Sequence, residues 1–252
     1  MRIAVAGNDI AGLTLALRLR LKGHDVTVHD SDTTAPVPEF FTVIAPYRDL
    51  FLKCGDPLDD VIGIVPVTTP LRCGAVALPP SGAQAPAIAA TFGDDAAREW
   101  TAFLQTSANV WSQIRVESFV PRRTLVRQLR RSLATPALRD VATACVPTSD
   151  PQLLSEAATV FPYLMQTFGM WAFDGGLPAF EQALRARCSD HEVQFARSEV
   201  PREARSVDNH FSETFGAPRR WLRPPERVRT QQLGLAFVGM AAESIAERIG
   251  RA

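Results

Sequence analysis

The sequence predicts an α/β fold: a Rossmann-like nucleotide-binding sheet built from both termini, residues 1–32 and 170–252, with an inserted, mainly helical cap at 33–169. Three observations predict it. The chain opens with apolar strand, glycine turn, helix and second strand inside about 30 residues, the βαβ order. The middle carries helical spacing of its large apolar residues. The segment after 170 returns to turn, helix and strand patterns, and no internal repeat or low-complexity tract competes.

Ile3 to Ala6 form a short apolar run of the kind that fits a buried parallel strand. Leu13, Ala16, Leu17, Leu19 and Leu21 bring helical character, stopped by Gly23. Val26 and Val28 then alternate with polar residues in a second strand that ends at Asp30. The stretch SDTTAPVP, 31–38, suits no helix interior and closes the unit. A helix is expected over 47–53 and a β-like or hairpin segment over 63–90, with fragments at 64–67 and 75–78. Further helices are expected from Asp94 through Trp111, from Pro121 through Leu133, and over 153–158. FDGG, 173–176, signals a turn before a helix from Pro178 to Arg187. EVQFA, 192–196, and the apolar LGLAFVG near the end read as strands, and AAESIAERIG as a terminal helix.

Composition narrows the function classes. At 252 residues, with 46% hydrophobic and 21% charged, the chain is ordinary for a globular protein. Acids and bases balance at 27 each, so no net positive field draws it to nucleic acid. Only two of the basic residues, Lys22 and Lys53, are lysine. The four cysteines, Cys54, Cys73, Cys145 and Cys188, lie far apart without metal-ligand spacing, so reduced thiols are expected and no metal site is. His24, His29, His191 and His210 show no paired spacing and are expected at the surface. Asp94, Asp95 and Glu99 suit a helix N-terminus with a solvated face. The start lacks the basic and apolar regions of a signal peptide, so a cytoplasmic protein is expected.

The candidate site is GNDIAG, residues 7–12, which stands where a dinucleotide-binding chain places G-x-G-x-x-G. Gly7 and Gly12 fit the pattern, with Ile10 and Ala11 opening the helix and Asp30 at the distance of a ribose ligand. The middle glycine is Asp9. A carboxylate about 4 Å from a phosphate oxygen, at an effective dielectric of about 20, opposes binding by on the order of 4 kcal/mol, roughly a thousandfold. Two roles stay open for these residues: a nucleotide site, or a turn kept for strand–helix packing. Gly175 and Gly176, beside Trp171 and Phe173, are likewise either a cofactor-facing turn or a structural one. Phe161, Tyr163, Phe168, Trp171 and Phe173 would suit an apolar tunnel or plain core. No catalytic acid, base or nucleophile stands out, and no G-x-S-x-G is present.

The opening VAGNDIAGLTLALRLRLKGHDVTVHD resembles the flavin-binding start of the bacterial phytoene desaturase family, within the amine-oxidase-like flavoproteins. Four more stretches resemble that family in order: TVIAPYRDLFLKCGDPLDDVIGIVPV, FGDDAAREWTAFLQTSANVW, FPYLMQTFGMWAFDGGLPAFEQALRARC and GLAFVGMAAESIAERIGRA. The resemblance implies an FAD-dependent oxidoreductase acting on a long polyene or isoprenoid. FAD would lie along Gly7, Asp9, Ile10, Ala11, Gly12, Asp30, Gly175, Gly176 and Gly239, and the substrate along the five aromatic residues above. It is also compatible with peripheral membrane contact.

The departures from the family point the other way. Beside Asp9, the Gly-Gly-Arg stretch after the ribose acid is absent, and FVG passes straight to MAAE without the family's C-terminal glycine run. Between Asp208 and Phe215 the chain jumps over much of the second substrate segment. The three altered elements at Asp9, after Asp30 and after FVG act in that family by close backbone approach to phosphate or flavin, so weakened flavin binding is expected. The alternative is a non-redox relative: an accessory partner of a full-length desaturase, or a cofactor-free isomerase or cyclase.

Overall fold

The computed structural model describes residues 2–29, 39–117, 131–146, 159–197 and 235–251. In chain order the elements are β1 (Arg2–Ala6), α1 (Ile10–Leu21), β2 (Asp25–His29), α2 (Ala45–Lys53), α3 (Leu58–Val61), β3 (Ile64–Pro66), β4 (Leu71–Cys73), β5 (Val76–Leu78), α4 (Ala85–Phe92) and α5 (Asp94–Glu117). They continue with α6 (Pro136–Ala144), α7 (Phe161–Phe168), β6 (Trp171–Phe173), α8 (Gly176–Asp190), β7 (Gln194–Ala196) and α9 (Leu235–Ile249). The fold is mixed α/β with a parallel sheet. The helices expected over 121–133 and 153–158 fall almost wholly outside the described residues.

Two compact units divide the chain: 1–39, 44–65 and 172–252 in the first, 40–43 and 66–171 in the second. Residues 44–65, expected in the cap, therefore belong with the sheet. The reason is α2, which packs against α9 and puts Tyr47, Leu50 and Phe51 into that unit's core.

In the first unit the sheet runs β1-β2-β7, all parallel, with Arg2 opposite Asp25 and Thr27 opposite Gln194. Alternation places Ile3, Val5, Val26 and Val28 on one face, all buried. Helix α1 packs on β1 and β2 and also touches α8 and α9. Every residue from Ile10 to Leu19 is buried, which is the property of a central helix rather than a surface one. Each fully buried leucine there contributes about 1.5–3 kcal/mol of hydrophobic stabilisation. Arg18 is buried among them because Pro46 O accepts from its Nη2 at 2.6 Å and Asp49 lies 3.4 Å from its Nη1.

The terminal segment departs from expectation. LGLAFVG was expected as a strand, yet residues from Leu235 onward form the single helix α9. An apolar run of that length is compatible with either structure, and packing decides. Gly239 sits so close to α2 that a Cβ there would meet Pro46 Cβ at 2.8 Å and the Tyr47 ring at 3.1 Å.

The second unit centres on α4 and α5, with the β4–β5 hairpin beside α4 and α6. Trp100 is fully buried, and its Nε1 donates to Gln84 Oε1 at 3.1 Å. Gln84 in turn donates from Nε2 to Pro162 O at 3.0 Å, so the buried amide and indole satisfy each other. Glu99, expected on a solvated face, instead reaches the start of α6 and accepts from the Thr135 amide at 2.9 Å and hydroxyl at 2.6 Å.

Candidate functional site

The glycine turn lies at the C-terminal end of β1, where parallel α/β sheets bind ligands. Gly7 has φ 101°, a backbone state that favours glycine, and its amide donates to His29 O at 2.7 Å. This bond ties the turn to the end of β2. Asp9 then stands as the N-cap of α1, with extended backbone angles of −120° and 179°. Its Oδ1 accepts from the Gly12 amide at 2.9 Å, and its carbonyl accepts from Leu13 at 2.8 Å.

The carboxylate thus takes a helix N-terminal donor of the kind that a bound phosphate uses. Aspartate is among the best N-caps, about 1 kcal/mol better than alanine and a few tenths better than glycine. It also favours the positive end of the helix dipole. Asp9 therefore supplies an internal anion to the Gly12 amide.

A second side chain closes on the same turn. Arg185, from α8, donates through Nη1 to Asn8 Oδ1 at 2.6 Å and through Nη2 to Asn8 O at 3.3 Å. Glu181 Oε1 lies 3.0 Å from Nη2, and the guanidinium carbon stands 5.6 Å from the centroid of the Phe195 ring. The sequence pointed to none of this at Arg185. The i,i+4 pair with Glu181 was visible as spacing, but the link to Asn8 spans 177 residues.

Gly7, Asp9, Ile10, Ala11 and Gly12 are brought together in this turn and the first turn of α1. Asp30, the expected ribose ligand, lies outside the described residues. Gly175 and Gly176, with φ 77° and 72°, start α8. At 1.5 Å rise per residue their end of the helix is roughly 13 Å along the axis from Arg185. Gly239 packs helix on helix, as above, and not at the end of a strand.

The five aromatic residues divide between the units. Phe173 stacks on Phe180 at 4.1 Å and 11°, and Phe180 meets Tyr47 edge-on at 5.0 Å. With 3% of its surface exposed, Phe173 is core of the first unit. In the second unit Phe161 is buried on the inner side of α7 with Leu164 and Met165. Tyr163 and Phe168 meet edge-on at 6.4 Å, and Trp171 Nε1 donates to Phe168 O at 2.7 Å.

A cavity of about 970 Å³ in the first unit is lined by Arg2, Ala4, Arg20, Asp25, Thr27, His29, Glu192 and Gln194, among others. No residue of the glycine turn lines it. Arg20 is committed there to Glu192 at 2.6 Å and Asp25 at 3.6 Å.

Among the described residues, burial pushes the ionisable groups with the largest shifts away from their charged forms. Burial pushes Cys54 up to about 11 and Cys188 up to about 12, away from thiolate at neutral pH. Burial likewise raises the Tyr47 phenol, with the Thr14 hydroxyl and Arg18 charge only partly offsetting it. His24 and His29 are buried rather than at the surface. His24 Nε2 donates to Gly250 O at 3.0 Å, holding the end of α9. Among the described residues no cluster of three or more His, Cys, Asp or Glu could hold a metal ion.

No protein-family model and no curated protein matches the chain. Solved structures similar to the chain include an oxidoreductase from Methanosarcina mazei, with TM-score 0.46, and a protein from Pyrococcus furiosus, with TM-score 0.42. Each is 14% identical and aligns with 78% of this chain and 51% of its own length. The chain therefore spans about half the length of the solved structures it matches. At this distance the likeness transfers no role to any residue.

Proposed function

We propose that this protein is a diverged relative of the FAD-dependent oxidoreductases of the phytoene desaturase type, with weakened flavin binding. The observation that carries the reading is the glycine turn, set between β1 and α1 at the C-terminal end of a parallel sheet, with Gly7 at φ 101°. The colinear resemblance of five stretches supports the same class and, within it, a polyene or isoprenoid substrate.

The backbone path of the turn supports FAD binding, and its donor set opposes it. The Gly12 amide is engaged by Asp9, and Asn8 is held by Arg185. Were FAD held, Gly7, Ile10, Ala11 and Gly12 would lie along its diphosphate and Asp30 at its ribose.

The Asp9 cap favours a second reading, in which the turn is kept as architecture and the protein works without redox chemistry. It would then serve as an accessory partner of a full-length desaturase, or as a cofactor-free isomerase or cyclase. Among the described residues no helix is long and apolar enough to cross a membrane; peripheral membrane contact is compatible with either reading.

A visible spectrum of the purified protein followed by FAD titration separates the two. Weak but saturable FAD binding, with a Kd of roughly 10–100 μM, is expected. A colourless protein with no saturation at roughly 100 μM FAD would overturn the flavoenzyme reading and leave the second.

A further inference from the structure

We propose that Cys73 and Cys145 are a disulfide-forming pair that locks the β4–β5 hairpin to α6. Cys73 ends β4 and Cys145 caps the C-terminus of α6. Their Sγ atoms stand 2.7 Å apart although 72 residues separate them in sequence. Both are buried, at 0% and 1% exposure. A disulfide bond is about 2.05 Å long, so the two sulfurs stand about 0.7 Å from bonding distance.

The surroundings give the bond a purpose. The hairpin has three residues in each strand, too short to be stable by itself, and β4 packs directly on α6. A covalent tie at this contact fixes both elements. The Cys145 thiol also points to Val141 O at 3.1 Å, and the Cys145 amide donates to the same oxygen at 3.1 Å. Losing the thiol hydrogen therefore strands no carbonyl.

The step requires an oxidant, and a low-molecular-weight disulfide such as glutathione disulfide supplies it. One cysteine thiolate displaces a small thiolate and forms a mixed disulfide, and the second cysteine displaces the other. In balance, two protein thiols and one small disulfide give one protein disulfide and two small thiols. Two electrons and two protons pass to the oxidant. Burial raises the Cys145 thiol well above its usual range, and neighbouring Cys73 raises it further, so the closed unit presents little thiolate. Exchange then belongs to folding or to opening of the hairpin.

The test uses the whole chain, refolded either with glutathione disulfide or with reduced glutathione. Thiols are counted in denaturant with a chromogenic reagent, and the peptides are mapped by mass spectrometry. The expected result is loss of two of the four thiols, a cross-linked peptide joining 73 to 145, and a melting temperature raised on the order of 10 °C, reversed by dithiothreitol. Four remaining thiols, a cross-link between another pair, or an unchanged melting temperature in the cross-linked protein would overturn the proposal. Cys145→Ser should abolish the oxidation-dependent shift, and persistence of the shift would also overturn it. Peptide mapping needs no variant, so the proposal stays testable if that variant fails to fold.

Discussion

Two helices in this protein have their N-termini closed by a carboxylate, and they differ in where the carboxylate comes from. In α1 it is Asp9, three residues before the Gly12 amide it accepts from. In α6 it is Glu99, 36 residues before Thr135, taking both the amide and the hydroxyl of the residue at the cap. The local cap makes the N-terminus of α1 self-sufficient. The distant cap makes α6 depend on α5. One closure is local to its helix and the other ties two helices together.

The largest expected effect falls on the distant closure. Glu99→Ala leaves the Thr135 amide and hydroxyl without their charged acceptor and should destabilise the protein by about 2 kcal/mol, measured by chemical denaturation. A change within about 0.5 kcal/mol would mean that water replaces Glu99 without loss.

The same carboxylate carries a pH signature. Burial pushes the Glu99 carboxyl up, but hydrogen bonds from the Thr135 hydroxyl and amide and the Ala134 amide, with the Arg139 charge, outweigh it and hold the group below its ordinary range. A depressed carboxyl stabilises above its unfolded pKa, about 4.3, and loses that contribution as pH falls through the folded value. The stability gap between wild type and Glu99→Gln should therefore be widest near neutrality and narrow below about pH 4. A gap that is flat across this window would contradict the assignment.

Smaller effects are expected at the local closure. Asp9→Ala should cost about 1 kcal/mol and Asp9→Gly only a few tenths, because glycine is itself a tolerable N-cap. Arg185→Ala removes a half-exposed clamp on Asn8 and should cost under about 1 kcal/mol in urea denaturation. A larger loss there would show that the Gly7–Gly12 turn is held mainly by α8 and only secondarily by its own cap.

The local and distant closures also mark how far the sequence could be read. Strand β1, the turn, α1 and β2 were legible because periodicity, glycine position and strand spacing all act within 30 residues. Asp9 was legible as a departure from the motif, though its capping bond was not. The bond between Glu99 and Thr135, the clamp of Arg185 on Asn8, and the burial of His24 against Gly250 each join distant segments that no local pattern links. The segment leading to Gly239 was read as a strand because an apolar run does not declare its period. What settles it is a contact with Pro46 and Tyr47, which leaves no room for a side chain. The aromatic run at 161–173 was legible as apolar, and its division between two units was not.

If the Asp9 carboxylate closes the α1 terminus against an external phosphate, FAD titration of wild type beside Asp9→Gly will show it. With stability altered by only a few tenths of a kcal/mol, the variant should bind FAD more tightly, by up to about 4 kcal/mol or roughly a thousandfold. Equal affinity in the two proteins would contradict the claim and show that Asp9 does not oppose FAD at this turn.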